Sequence, residues 1–284
     1  MLQKKSLHNR CEFDAITIGF IREPFFSLCK KQKIFTDLGA NMAKILIMSD
    51  IHGNLSALEA VLKQENSRQI EGMILLGDLI DYGPRSNEVI KRIQEISKSQ
   101  IKVNIWGNHE KAIMESDDSR FSSERGKKSM AYTSRQLSEN SKNYLEQEMR
   151  KEGYSEFELE GKKCLAVHGS REDFFWKSIS HEERKEEYAA YDIVFSGHSH
   201  IPHYFEHFYP MENSVYRGKK KTVFINPGSV GQPRNHNPNA QYAVLDTETM
   251  TVRMCGVSYD IEKEMDLYSE EIDYFYKERL KLGV

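Results

Sequence analysis

This 284-residue sequence predicts an α/β fold with a mostly parallel core. Short apolar and β-branched runs recur along it, and buried parallel strands read in that way. Segments with helical spacing separate the first of these runs, which is the alternation of βαβ units. Five runs end in a short burst of Asp, Asn and His beside glycine, and open α/β sheets place their ligands off the carboxyl ends of the strands.

In chain order, Lys44–Met48 is the first strand and leads into Ser49, Asp50, Ile51, His52 and Gly53. Asn54 is a candidate N-cap. Leu55, Leu58 and Leu62 then recur at helical spacing. A second strand, Met73–Leu76, leads into Gly77, Asp78, Leu79, Ile80 and Asp81. After Pro84, the stretch Ser86 to Ile96 puts Val89, Ile90, Ile93 and Ile96 on one helical face. Lys102 to Trp106 is the next strand and leads into Gly107, Asn108, His109 and Glu110.

Residues 111–155 break the rhythm. They are polar and rich in Ser and charge, with a helix expected around Arg135 to Met149, and they read as a cap-like insertion over the active-site face. Cys164–Val167 is a strand leading into His168 and Gly169. Ser180 with Glu183 makes a capping box for a charged helix through Tyr188. Asp192–Ser196 is a strand leading into Gly197, His198, Ser199 and His200. Thr222 to Ile225, Gln241 to Leu245 and residues 251–258 follow as strands. Glu262 to Leu282 reads as a helix whose Tyr268, Ile272, Phe275, Tyr276 and Leu280 form a core-packing stripe.

Residues 1–41 lack a clean period and carry a net +3, while the remainder carries −6. They are expected to be an extension, poorly ordered or the product of a start placed upstream of Met42, with one domain spanning 42–284. The acidic body argues against a broad nucleic-acid surface, which needs clustered Lys and Arg. No apolar run reaches the ~20 residues that span a bilayer. Cys11, Cys29, Cys164 and Cys255 form no CxxC and read as reduced thiols of a cytoplasmic protein. Oligomeric state leaves no mark in the sequence.

The bursts give a ligand inventory of Asp50, His52, Asp78, Asn108, His168, His198 and His200. Oxygen and imidazole donors suit Mn²⁺, Fe, Zn²⁺, Co²⁺ or Ni²⁺, and no thiolate set indicates a structural zinc. Seven ligands are natural for two ions sharing one carboxylate. Asp-x-His puts Asp50 and His52 on one side of an extended segment, able to chelate one ion. A pair of divalent ions outweighs the two carboxylates, so the centre favours an anionic phosphate ester. Arg234 and Asn226, on the loop after Ile225, are candidate substrate-binding residues, and Arg85 is a weaker one.

Asp50-Ile51-His52, Gly77-Asp78-Leu79-Ile80-Asp81, Gly107-Asn108-His109-Glu110, His168-Gly169 and Gly197-His198-Ser199-His200 together resemble the calcineurin-like metallophosphoesterases. The segments 77–84 and 226–234 resemble their small prokaryotic phosphodiesterase branch. The resemblance covers about residues 42–260. It implies two mixed sheets packed face to face and flanked by helices, an αββα sandwich. It implies one ion on Asp50, His52, Asp78 and His200 and a second on Asp78, Asn108, His168 and His198, with Mn²⁺ the first choice of metal. It further implies a bridging water or hydroxide as nucleophile, and His109, held near Asp81, acting on the transition state or leaving group. The implied activity is hydrolysis of a phosphodiester or small phosphorylated metabolite. Alternatives are a protein Ser/Thr or diadenosine-tetraphosphate phosphatase, or a non-catalytic metal-binding scaffold. Tyr82 stands where the protein phosphatases carry a phosphate-gripping Arg, which weakens that alternative.

Overall fold

The computed structural model describes residues 16–17, 44–65, 70–182, 185–212 and 218–284. The expected extension, residues 1–41, lies outside them except for a two-residue strand, β1 (Ile16–Thr17). The first βαβαβ run is β2 (Lys44–Met48), α1 (Leu55–Glu65), β3 (Ile70–Leu75), α2 (Ser86–Gln94) and β4 (Ile101–Asn104). Three helices follow, α3 (Asn108–Glu115), α4 (Glu124–Gln136) and α5 (Glu139–Glu148). Then come β5 (Tyr154–Leu159), β6 (Lys162–Val167), β7 (Ile193–Ser196), β8 (His203–Pro210), β9 (Lys219–Asn226), β10 (Ala240–Asp246) and β11 (Thr251–Val257). Two helices, α6 (Ile261–Met265) and α7 (Tyr274–Leu282), close the chain.

The strands form two mixed sheets, ordered β1-β11-β10-β2-β3-β4 and β5-β6-β7-β9-β8. Strands β2, β3 and β4 run parallel, as do β6, β7 and β9. Side chains alternate across each strand, and the alternation sorts two cores. Ile45, Ile47, Ile74, Leu76 and Ala243 of the first sheet meet Cys164, Ala166, Ile193, Phe195 and Ile225 of the second in one buried layer. Leu46, Met48, Met73 and Leu75 point the other way, onto Leu58, Val61, Ile90 and Ile93 of the covering helices. This is the face-to-face packing of a sandwich. The outer face of the second sheet, with Leu165, Val194 and Phe224, is covered by Tyr188 and Tyr191. Among the described residues no helix is long and apolar enough to cross a membrane.

Several local expectations needed adjustment. The insertion holds two helices where one was expected: α4 stops at Leu137, and Ser138 opens α5 by accepting from the Ser141 amide at 3.2 Å. Among the described residues the capping box at Ser180 caps no α-helix. Its hydroxyl accepts from Glu182 N at 3.3 Å, Glu183 lies outside the described residues, and only one short helical turn, Glu186–Tyr188, follows. The C-terminal helix is two helices, because Asp273 accepts from Phe275 N at 2.9 Å and starts α7 anew. The expected stripe still packs: Ile272, Tyr276 and Leu280 are buried.

Candidate metal centre

Five loops, each leaving the carboxyl end of a strand, converge where the sheets meet. The first sheet supplies Asp50 and His52 after β2, Asp78 after β3 and Asn108 after β4. The second supplies His168 after β6 and His198 and His200 after β7. Two groups form, Asp50, His52, Asp78 and His200, and Asp78, His168 and His198, with the donor atoms of each within 4.8 Å of one another. Asn108 Oδ1 joins the second group, 3.0 Å from His168 Nε2 and 2.9 Å from His198 Nδ1.

The backbone is bent to achieve this. Asp50, His52, Asp78, Asp81, Tyr82, His198 and His200 all have φ between 48° and 71°, the left-handed region that L-residues avoid. Such strain costs on the order of 1 kcal/mol or more per residue and persists where the surroundings dictate it. Glu110 is one such surrounding. Its buried carboxylate accepts from the amides of Asp78 at 2.8 Å, Leu79 at 2.7 Å and Gly107 at 2.8 Å, fastening the loop after β3 to the loop after β4. Gly107 must be glycine, since a Cβ there would lie 2.1 Å from Asp78 Oδ1.

Hydrogen bonds fix which atoms face inward. His52 Nδ1 donates to Ile80 O at 3.0 Å, His168 Nδ1 to Leu76 O at 2.7 Å and His200 Nδ1 to Gln232 O at 2.6 Å. In a neutral ring each Nε2 therefore presents a lone pair to the centre. His52 Nε2 and His200 Nε2 face each other at 3.2 Å. Two acceptors so placed repel, unless a cation sits at ~2.1 Å from both. Asp50 Oδ2 accepts from Ser49 Oγ at 2.5 Å and His198 N at 3.1 Å, while Asp78 Oδ1 accepts from His109 N at 2.9 Å. Their other oxygens, Asp50 Oδ1 and Asp78 Oδ2, are buried with no hydrogen-bond partner among the described residues. Asp78 Oδ2 lies 3.6 Å from His52 Nε2 and 3.3 Å from His168 Nε2, one nitrogen from each group. Buried orphan acceptors among imidazole lone pairs fit divalent cations of the borderline kind.

Electrostatics favour the neutral, ligating form for three of the four histidines. Burial pushes the Asp50 carboxyl up to about 6 and holds His52 and His200 well below the ordinary histidine value. Burial and the neighbouring His168 take His198 down to about 3. Burial also opposes charge on His168, but Asp78 beside it wins and holds its proton up to about 9, so a cation bound there would have to displace that proton.

Beside the centre, His109 Nδ1 lies 2.6 Å from Asp81 Oδ2, and its Nε2 lies 4.0 Å from Asp78 Oδ2. Asp81 Oδ1 accepts from Ser129 Oγ at 2.6 Å and Thr133 Oγ1 at 2.9 Å, both on α4. A cleft of about 380 Å³ opens onto Asp78, Asn108, His109, His198 and His200, walled by Tyr82, Phe121, Trp176 and Arg234.

The profile of the calcineurin-like phosphoesterase superfamily domain matches residues 43–250. The chain belongs to that superfamily. The family domain and the phosphodiesterase relative below make it a hydrolase of phosphoric esters. It is similar to the uncharacterized protein MJ0912 of Methanocaldococcus jannaschii, 28% identical over 244 residues covering 84% of this chain and 98% of that one. It is also similar to the phosphodiesterase YfcE of Escherichia coli K12, 24% identical over 219 residues covering 74% of this chain and 91% of YfcE. A solved metallophosphoesterase from Sphaerobacter thermophilus superposes with a TM-score of 0.66 at 27% identity, covering 86% of this chain and 100% of that one.

Two sequence expectations for this phosphoesterase do not match the geometry. Asn226 does not line the cleft. It is buried, donates to Gly197 O at 2.8 Å and Ser199 Oγ at 3.1 Å, and accepts from Gly228 N at 2.9 Å, so it braces the loop that carries His198. Arg85 is committed to Glu264 and, at 2.8 Å, to Ser56 Oγ. Conversely, Glu110, Ser129, Thr133 and Trp176 were not singled out as site residues. Glu110 stands in the segment Gly107-Asn108-His109-Glu110, and only the structure shows it buried among the amides of Asp78, Leu79, Gly107 and, at 3.3 Å, Ile80.

Proposed function

We propose that the chain is a binuclear-metal phosphoesterase that hydrolyses a phosphodiester or small phosphorylated metabolite. Asp78 carries the reading: one buried carboxylate oxygen, without a hydrogen-bond partner, sits against a histidine nitrogen of each ligand group. Asp50, His52, Asp78 and His200 would hold one divalent ion. Asp78, Asn108, His168 and His198 would hold the other, with Mn²⁺ the first candidate and Fe, Zn²⁺, Co²⁺ and Ni²⁺ compatible with the donors. Such ions supply Lewis acidity toward phosphoryl oxygens and ionise water at neutral pH.

The remaining roles belong to the protein. Asp81 fixes the His109 ring through Nδ1 and leaves Nε2 toward the cleft. Burial disfavours charge on His109, but in the protein alone Tyr82, Asp78 and Asp81 raise it to about 10; its Nε2 is placed to give a proton to a departing alkoxide. Arg234, on the cleft wall, meets the anionic substrate. A cleft of about 380 Å³ is the size of a small-molecule site. Tyr82, with its ring 4.4 Å from His109 and 4.2 Å from Tyr276, fills the place where protein phosphatases carry Arg. Both observations favour a small substrate over a phosphoprotein. The relative YfcE is a phosphodiesterase by name.

The test is hydrolysis of bis(p-nitrophenyl) phosphate by chelator-treated protein with single divalent metals restored. Turnover should return with metal, and His109→Ala should lower kcat by roughly 10²–10³-fold while metal content stays the same. No turnover with any of the metals, or full activity in His109→Ala, would sink the proposal.

A further inference from the structure

Behind the cleft wall, a buried cation has no counter-ion among the described residues. Arg279, on α7, is 9% exposed, and its Nε and Nη1 are buried with no hydrogen-bond acceptor. Arg234 Nε is buried and unpartnered in the same way. Among the described residues neither arginine forms a salt bridge within 4.0 Å. Arg125, on α4, is exposed, and its guanidinium lies 4.2 Å from the Phe275 ring centroid. The Arg279 guanidinium lies 4.5 Å from the same ring and 5.8 Å from that of Tyr276. Tyr276 stacks on Tyr82, which lines the cleft. Asp81, just behind Tyr82, offers no free oxygen: His109, Ser129, Thr133 and the Tyr82 amide take both.

An arginine buried without an anion is costly, and guanidinium groups are built for the forked oxygens of phosphate. Burial first, then repulsion from Arg234, lower Arg279 to about 10. Ring faces offset some of this cost but leave the N–H donors unspent.

We infer that Arg234, Arg279 and Arg125 form a second oxyanion subsite beside the metal centre, one that takes a phosphate group other than the one being cleaved. This rests on the proposed phosphoesterase reading for its place in a reaction, though not for its existence. Arg279 lies beyond residues 43–250, so the subsite depends on the C-terminal helix and not on the family domain alone. The preferred substrate then carries a second phosphate.

Binding is tested first, apart from catalysis. Calorimetric titration of inorganic phosphate into full-length protein in excess EDTA should give saturable binding, weakened about tenfold or more in Arg279→Gln. Arg125→Gln, on the surface and harmless to the core, should weaken it about threefold or more. No binding, or equal binding by wild type and both variants, overturns the subsite whether or not the protein is an active esterase. The source of the phosphate is tested next with two substrates differing only by a phosphate: the p-nitrophenyl ester of thymidine 5′-phosphate and its 3′-phosphorylated form. A KM preference for the second that collapses in Arg279→Gln places the extra phosphate in the substrate. Equal KM values, with phosphate binding retained, assign the subsite to free phosphate.

Discussion

Gly107 lies against the carboxylate that both ligand groups share. Gly107→Ala would put a methyl group 2.1 Å from Asp78 Oδ1 and 2.6 Å from the Asp78 amide, so the carboxylate must move. The variant should stay folded, bind less metal per chain by elemental analysis, and lose activity by roughly 10²-fold, the usual cost of a misplaced group. Unchanged metal content and rate would show that Asp78 is not the shared ligand. The histidines make a pH prediction. Unfolded, His198 takes a proton near its ordinary 6.5, whereas folded it resists down to about 3. The stability tied to this group is complete above about 6.5 and is lost as pH falls toward 3. His52 and His200, also depressed, act in the same sense. His168, His109 and Asp50, whose values are raised, act in the opposite sense, so the prediction is a comparison: chelated His198→Asn should lose less Tm, or gain more, than chelated wild type between about pH 7.5 and about pH 5. The same pH dependence in both proteins contradicts this. At this scale the ligands were legible in the sequence because each follows an apolar run directly. Ser129, Thr133 and Arg279 were not, because their partners are far along the chain and no local pattern marks the contact.

Between elements, the Arg85–Glu264 pair joins the start of α2 to α6. Glu264 is fully buried and accepts from Ser56 N at 3.3 Å as well as from Arg85, so three helices meet on one carboxylate. Removing one partner of a buried pair costs about 3–5 kcal/mol, because the other charge is stranded. Arg85→Leu should lose about 3 kcal/mol in urea denaturation, somewhat discounted because Arg85 keeps 20% of its side chain exposed. A loss below about 0.5 kcal/mol would show that water screens the pair. The central strands were readable from composition, since β2, β7 and the carboxyl-end halves of β3 and β6 are nearly continuous apolar runs. The edge strands β5 and β8 were not. Tyr154–Leu159 and His203–Pro210 carry Glu and His on faces that are only partly covered, and such sequences read as loop. The C-terminal stripe kept its helical spacing across a break that Asp273 imposes, so its burial was predictable and its continuity was not.

Across the whole molecule, the centre draws from both halves of the sandwich. Asp50, His52, Asp78 and Asn108 arrive on the first sheet and His168, His198 and His200 on the second. Metal binding on this account is also sheet docking, and ligand removal should be felt in stability as well as in rate. The acidic body places its arginines next to this centre, which localises attraction for an anion without a broad basic surface. The most direct test is an anomalous-scattering map from crystals grown with Mn²⁺. The account predicts two peaks about 3.5–4 Å apart, both within ligand distance of Asp78. A single peak, or two peaks that do not share that carboxylate, would contradict it.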